Sequence, residues 1–177
     1  MSNVNNPSGL RLLTRAFGGG AVQLEFFTKD VGYGYAIYAQ DPVTLLAGVL
    51  NGPASGITAG TTRYLGVCLA ASLASVAASL LIARHRDNVY ECQEDASGAA
   101  NAVAAKMGYL ANLTTTAGDS TLLRSKVQVS VTSIATTSSL DVKIERLVNT
   151  PGNAYGANAM LEIRFNKHLD NPEVTAT

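Results

Sequence analysis

KVQVSVT at residues 126–132 is the clearest structural signal in the chain, because every second residue is valine and the residues between are polar. The same strict alternation returns in LDVKIE at residues 140–145 and in LEIRFN at residues 161–166. A period of two places the apolar side chains on one face of a β-strand and the polar ones on the other. The three runs therefore predict an antiparallel sheet with one face on a core and the other in water.

Shorter strand signals precede these runs and recur at the spacing of roughly ten residues that is typical of sandwiches and barrels. Alternating or continuous apolar residues predict strands at residues 22–26, 33–37, 43–46, 64–69, 79–83 and 89–93. NGPASGITAGTT at residues 51–62 has the composition of a loop. We therefore expect a mainly β protein with two small antiparallel modules, each barrel or sandwich-like.

These patterns divide the chain into an arm at residues 1–21, a first β-module at 22–97, a second at 98–169 and a tail at 170–177. The arm shows no alternation and contains Gly18-Gly19-Gly20, which predicts a flexible hinge. A disordered terminus explains this composition as well as an arm that orders on a neighbouring subunit. If the arm does order on a partner, six of its residues are the candidate contacts: Leu10, Arg11, Leu12, Leu13, Arg15 and Phe17. A short helix is expected within residues 99–107.

Residues 66–83 contain no charged side chain, and a run of this length could cross a membrane as a helix. Alanine and serine dominate the run, however, so its hydrophobicity is weak. We expect two short strands joined by residues 71–78, with a buried helix as the alternative, and no membrane partner. The polar start MSNVNNP lacks the apolar stretch of a secretory signal.

Charge is scarce and balanced. Thirteen basic and thirteen acidic residues cancel, and charged residues make up 15% of the chain, against about 25% in ordinary proteins. General nucleic-acid binding needs a basic surface that displaces counterions. The composition therefore argues against a nucleic-acid partner.

Residues capable of catalysis are few. His85 and His168 each lie beside basic residues, without a carboxylate at a spacing that would orient the ring, and are interpreted as surface or loop residues. Nucleophile-elbow, phosphate-loop and zinc-protease motifs are missing from the sequence. Glu91, Glu94 and Asp95 could bind a hard cation, but the alternating acid spacing of a calcium loop is missing. The same cluster could meet a basic partner, and a solvated strand edge is the more ordinary explanation. We expect no enzymatic activity, no cofactor and no metal.

Two further residue sets have both a structural and a functional interpretation. Cys68 and Cys92 show no metal-binding or redox spacing, which favours buried free thiols, although adjacent strands could join them in a disulfide. Tyr33 and Tyr35 would share a strand face and could stack on a sugar or a base. Packing in a core or an interface is the more ordinary role of such a pair.

Three stretches in this order resemble the head cement or decoration proteins of tailed bacteriophages. The first is residues 33–48, which contain QDPV at 40–43; the second is LGV at 65–67 followed by VYECQED at 89–95. The third runs from residue 107 to RFNKH at 164–168. The resemblance covers about residues 30–168.

The resemblance implies a β-rich protein on the outside of the capsid, assembled in the host cytoplasm and bound across contacts between major capsid subunits. It also implies a homo-oligomer, dimer or trimer, and no shared active-site residues. A phage tail or receptor-side module that binds carbohydrate through the tyrosine-rich residues 33–38 is the alternative.

Overall fold

The chain is described by a computed structural model over residues 3–16, 21–54, 57–97 and 104–170, with the side chains of residues 14–16 excepted. It is mainly β, with 37% of residues in strands and 4% in helices. Within the described residues the strands are, in chain order, β1 (Arg11–Ala16), β2 (Leu24–Lys29), β3 (Pro42–Leu46), β4 (Val49–Asn51), β5 (Gly66–Cys68), β6 (Ala78–Ala83), β7 (Asn88–Gln93), β8 (Leu110–Ala111), β9 (Val142–Leu147) and β10 (Met160–Phe165).

The strands form two five-stranded antiparallel sheets. The first sheet has the order β1-β7-β10-β9-β8, and the second has the order β2-β6-β5-β3-β4. Short 3-10 turns lie at Ala104–Lys106 and Val131–Ser133. The predicted β class and the sandwich-like alternative are confirmed.

The first core lies on the inner face of the first sheet. Leu161 is paired with Cys92, and Ile163 with Tyr90, so these four side chains point to the same side of β7 and β10. All four are completely buried, and Phe165 stacks on the ring of Tyr64 with the centroids 4.8 Å apart. Alternation along β10 therefore sets this core, as its sequence predicts.

The β5–β6 pair is a wall shared by two cores. Val67 pairs with Ala83 and faces the first core, whereas the next pair, Cys68 and Ile82, faces a second core enclosed by the second sheet. Because successive side chains of a strand point to opposite faces, one strand pair supplies both cores.

Residues 126–132 do not form the predicted strand. Val127, Val129 and Val131 are buried and alternate with half-exposed polar residues. Val129 makes single bridges to Glu94 and Leu113, and the chain then enters the 3-10 turn. The prediction is wrong because an alternating pattern indicates which side chains are buried. A segment can bury every second side chain without pairing along its length with a neighbouring strand.

One further prediction in the first half is wrong, and one strand was not predicted. Residues 33–37 make no strand, and instead Ile37 forms an isolated bridge with Ser72. The unpredicted strand is β4, which forms a hairpin with β3 through Ala47 and Gly48. It shares one residue, Asn51, with the predicted loop at residues 51–62, and the other described residues of that loop contain no strand. Both turn residues have positive φ, 50° and 79°, as a type I′ hairpin turn requires. Alanine rarely adopts positive φ, so Ala47 gives no sequence signal for this turn, and the hairpin was not predicted.

The described part of the predicted flexible arm belongs to the first sheet. β1 pairs antiparallel with β7, with Arg11 opposite Glu91 and Leu12 opposite Tyr90. The flexible-arm prediction is therefore corrected for residues 3–16, and the triple glycine lies outside the described residues. The predicted module boundary does not separate the sheets, because β7 lies between β1 and β10.

The uncharged run at residues 66–83 folds as predicted. It forms β5 and β6 with a loop between them. No helix in the described part of the chain is long and apolar enough to span a bilayer. Of the helix expected within residues 99–107, positions 99–103 lie outside the described residues, and the remainder contains the turn Ala104–Lys106. Of the predicted tail, residues 171–177 also lie outside.

Gly66→Ala is expected to destabilise the protein by at least about 2 kcal/mol, because overpacking at a close approach forces the backbone apart. A Cβ at position 66 would lie 2.2 Å from the carbonyl oxygen of Ala83, within the shared wall. Urea unfolding followed by circular dichroism measures the change. Gly34→Ala is the control, because nothing lies within 4 Å of its added Cβ. Equal stability of the two variants would show that the β5–β6 pair does not require the close approach of Gly66 to Ala83.

Candidate functional site

The residues predicted to contact a partner differ in accessibility. Leu10 is completely buried in the first core, and Leu12 packs against that core. Leu13 is half-buried and Arg11 is exposed. The side chain of Arg15 and all of Phe17 lie outside the described residues. Leu10 is therefore a core residue, and Arg11 is the described member of the set that a partner could reach most easily.

Residues 3–6 are held by amide side chains, through contacts that no sequence pattern predicts. Asn3 donates to two backbone carbonyls of the loop at residues 148–159. Gln93 donates to the carbonyl of Val4 and accepts from the backbone amide of Asn6. A groove of about 340 Å³ lies between this segment and the loop. The side-chain amides of Asn3, Gln93 and Asn153, which line the groove, are hydrogen-bonded within the protein, and those of Asn3 and Gln93 hold residues 3–6 in place.

A row of charged residues crosses the outer face of the first sheet. Arg11, Glu91, Glu162 and Arg146 are directly opposite one another on β1, β7, β10 and β9. Two carboxylates facing each other in the middle of a sheet destabilise it unless cations compensate. Here Arg11 binds Glu91, and Arg146 Nε lies 2.9 Å from Glu162 Oε2. The carboxylates are nearly buried and the guanidinium groups remain exposed, so the row presents its cations to solvent.

The histidines are held by backbone contacts. His168 lies in the segment that follows β10, outside the named strands, and is completely buried, so the surface interpretation is wrong for this residue. Burial lowers the pKa of its ring. Its Nδ1 accepts from the backbone amide of Asp170, and His85 Nδ1 accepts likewise from Asp87, both at 3.1 Å. Each imidazole therefore caps a turn two residues long.

The acidic set does not converge on one point. Glu91 binds Arg11, Glu94 is completely buried, and Asp95 accepts from the backbone amide of Val131. Glu91 and Glu94 are both buried, so the prediction of a solvated strand edge is wrong for these two residues. Within the described residues no group of three His, Cys, Asp or Glu side chains could hold a metal ion.

Both cysteines are free and buried, as predicted in preference to a disulfide. Burial raises the pKa of the Cys68 thiol to about 11 and that of Cys92 to about 12. Protonated thiols are poor nucleophiles. These residues act as small apolar core side chains, Cys68 in the second core and Cys92 in the first.

Asp41 is a buried carboxyl group at a junction of three chain segments. Its Oδ2 accepts from the backbone amide of Tyr38 at 2.8 Å, and its carboxyl group interacts with the side chain of Ser125. The backbone carbonyl of the preceding Gln40 accepts from Leu10 at 3.0 Å. Burial raises the pKa of Asp41 to about 6, and the two hydrogen bonds offset part of that effect.

The two tyrosines do not form an open stacking platform. Tyr33 is buried in the second core, and its hydroxyl accepts from the backbone amide of Gly52. Tyr35 is half-exposed and leans on Tyr33, with the ring centroids 5.8 Å apart. Of this pair, the ring of Tyr35 is therefore the one that a ligand can reach.

Charge is scarce in the second sheet from β3 to β6 and in the loops between, whereas β2 contains Glu25 and Lys29. Residues 31–83 contain one acid, the buried Asp41, and one base, Arg63. Large apolar side chains are nevertheless exposed on this sheet and its loops: Leu24, Phe26, Val31, Tyr35, Leu46, Leu73 and Val76. Exposed apolar side chains on an uncharged surface mark an interaction site more often than scattered single ones do.

Two of these residues form what we call the apolar strip, Leu24 and Phe26 on β2. Leu24 is opposite the buried Ala83, and Phe26 is opposite the half-buried Leu81. Opposite residues share a face, so the strip continues the surface that Ala83 and Val67 turn toward the first core. It is the part of that apolar face which the first sheet does not cover, and Phe26 is 68% exposed.

No family model, curated protein or solved structure matches this chain.

Asp41→Asn is expected to raise stability at neutral pH relative to the parent protein. The folded-state pKa, about 6, lies above the ordinary value of 3.8 that this carboxyl group has in the unfolded chain. The parent protein therefore loses stability as pH rises through that window and loses no more above it. A shift of about two pH units corresponds to about 3 kcal/mol. The stability difference between the two proteins should therefore grow by about this amount from pH 4 to pH 7. Urea titrations across this range test it, and a constant difference would exclude the buried-acid effect.

Arg11→Ala is expected to cost about 1–2 kcal/mol, because it removes a charge-assisted hydrogen bond from a nearly buried carboxylate. Adding Glu91→Gln should recover part of the loss, because the remaining Glu162 then faces a neutral amide. Arg86→Ala is the control, since Arg86 is exposed and its half-buried partner Asp87 keeps a second cation, Arg164. A double-mutant cycle by urea unfolding measures the coupling. Additive effects of the two substitutions on the free energy of unfolding would show that Arg11 and Glu91 are not coupled.

Proposed function

We propose that this protein is a capsid cement or decoration protein of a tailed bacteriophage, which binds the outside of the head shell without enzymatic activity. The observation that supports the proposal best is the apolar strip of Leu24 and Phe26 on β2. It adds a physical surface to the resemblance in residues 30–168. The partner is the major capsid protein, in the virion that is assembled in the host cytoplasm.

The strip suits a binding role because it is rigid before contact. All six residues of β2 are in register with β6, from Leu24 opposite Ala83 to Lys29 opposite Ala78. A preformed surface loses little conformational entropy on binding. Burying an apolar side chain of this size contributes roughly 1.5–3 kcal/mol, so two of them give a modest contact.

Modest contacts are sufficient for a protein present in many copies on a shell. Neighbouring attachment points raise the effective concentration, so occupancy exceeds what one contact provides. A site that spans several capsid subunits exists once the shell is assembled. We therefore expect binding to assembled shells and weak binding to free capsid subunits.

The carbohydrate-binding alternative rests mainly on Tyr35, since Tyr33 lies in the second core and Tyr38 is half-buried. A glycan array separates the two functions. Clear binding to a sugar, lost in Tyr35→Ala, would favour the receptor-side module over the capsid protein.

Phe26→Asp is expected to lower affinity for assembled shells at least about tenfold, equivalent to about 1.4 kcal/mol, because a carboxylate would be buried without a partner. Co-sedimentation with undecorated shells of the phage that encodes this protein measures the affinity. Tyr155→Asp is the matched control, because Tyr155 is another exposed aromatic residue, in the loop at residues 148–159.

Both variants should keep the circular dichroism spectrum and melting temperature of the parent protein. Failure of the parent protein to bind shells would refute the capsid role. Equal binding by the parent and Phe26→Asp would show that the strip is not the contact.

A further inference from the structure

The charges on the outer face of the first sheet differ sharply in exposure. Three carboxylates lie close to the sheet, and none of their side chains is more than 14% exposed: Glu91, Glu145 and Glu162. Arg11 and Arg146 are the most exposed of the described charges on this face, with side chains 60% and 59% exposed. A molecule that approaches the face therefore meets guanidinium groups before it meets a carboxylate.

A bulge in β9 contributes to this arrangement. Glu162 pairs with Arg146 and Ile163 pairs with Ile144, so Glu145 is an extra residue between the two pairs. The extra residue of a bulge has no partner in the ladder, and its side chain can be aimed differently from those of its neighbours. The carboxylate of Glu145 reaches Arg164, which lies outward between the buried Ile163 and Phe165. All three carboxylates of the face are therefore bound by cations of this chain.

Arg11 and Arg146 keep hydrogen-bonding capacity for a partner. A guanidinium group has five N–H donors in a rigid, planar arrangement. Arg11 directs Nε and one terminal nitrogen to Glu91, and Arg146 directs Nε to Glu162. The remaining N–H groups can donate to a second carboxylate. Because a nearly buried glutamate already holds each arginine, the side chain loses little conformational entropy when a partner binds.

The balance of charge indicates which anionic partner suits the face. Its described residues include three carboxylates and four cations, Arg11, Lys143, Arg146 and Arg164, which leaves one net positive charge. DNA and anionic bilayers are bound by many cations that have no counter-charge nearby. A single carboxylate on a protein surface requires one guanidinium group in the right orientation. An open sheet face also suits another protein surface, because small molecules prefer concave sites.

We propose that the outer face of the first sheet binds an acidic surface of a partner protein, with Arg11 and Arg146 each donating to one of its carboxylates. The two arginines lie on β1 and β9, with β7 and β10 between them. Three strand spacings place their Cα atoms about 14 Å apart. Carboxylates at this separation engage both arginines at once, so the second contact forms at a high effective concentration. The proposal goes beyond the shell-binding role of the apolar strip, which lies on the second sheet, and either can fail without the other.

A fluorescent peptide of threonine and serine with glutamate at every fourth position is the probe, because four residues of extended chain span about 14 Å. Fluorescence anisotropy measures its affinity for the full chain at about 20 mM NaCl, where exposed charges are weakly screened. The parent protein is expected to bind this peptide at least about threefold more tightly than a peptide of the same composition whose glutamates are adjacent. Binding should weaken as salt is added, since the contacts are solvent-exposed ion pairs.

Arg11→Lys combined with Arg146→Lys tests the guanidinium groups at constant net charge. Each lysine can still neutralise the glutamate beside it, but an ammonium group lacks the planar set of donors that holds a second carboxylate. The dissociation constant for the spaced peptide should rise at least about fivefold. Arg63→Lys is the control, because Arg63 lies in the loop between β4 and β5, away from the first sheet. It should bind the peptide as the parent protein does.

Thermal melts first establish that both variants fold like the parent protein. Three results would overturn the proposal: no binding of the spaced peptide at about 1 mM protein, equal affinity for the two peptides, or unchanged affinity in the double lysine variant. Duplex DNA and phosphatidylserine vesicles are tested in the same buffer. Tighter binding of either one than of the spaced peptide would also overturn it, because the face would then recognise a polyanion rather than the carboxylates of a protein.

Discussion

Alternation in the β5–β6 pair is the constraint on which the rest of the structure depends. Val67 and Ala83 close the first core, and the next pair, Cys68 and Ile82, closes the second. A slip of one residue would turn each pair toward the wrong core. Gly66 allows the strands to approach, since a Cβ there would collide with a backbone carbonyl. The two halves therefore have one common wall, and the apolar strip exists because one face of that wall extends beyond the first sheet.

The sequence predicted much of the fold where alternation and pairing coincide. β9 and β10 were found within two residues of their ends, and β2, β3 and β5 to β7 were also located. Alternation failed at residues 126–132, where burial is alternate but the chain makes single bridges. The β3–β4 hairpin was missed because its turn uses alanine with positive φ. Residues 3–16 were missed for a different reason: Leu10 and the amides of Asn3 and Gln93 hold the segment through partners distant in sequence.

The candidate surfaces were harder to predict than the strands. The sequence shows that residues 66–83 contain no charged side chain. It does not show which apolar side chains remain exposed, because this depends on which other strands and loops pack over them. Phe26 and Phe27 are neighbours, yet one is open to solvent and the other packs against the second core. The burial of Lys29 beneath two loops could not be predicted from the sequence either. The same is true of the pairing of Arg11 and Arg146 with two carboxylates that face each other across the sheet. Such roles arise from contacts between strands that lie far apart in the chain.

The two buried thiols give each core a reporter of its own. Cys92 belongs to the first core and Cys68 to the second, and the part of the chain that the structure describes contains no other cysteine. A thiol reagent reacts with either residue when its surroundings open, so the two labelling rates report two separate opening equilibria. Equal rates would mean that the shared wall makes both cores open as one unit. Unequal rates would mean that one core opens while the other stays closed. Part of the molecule could then unfold locally while the surface on the other core keeps its structure.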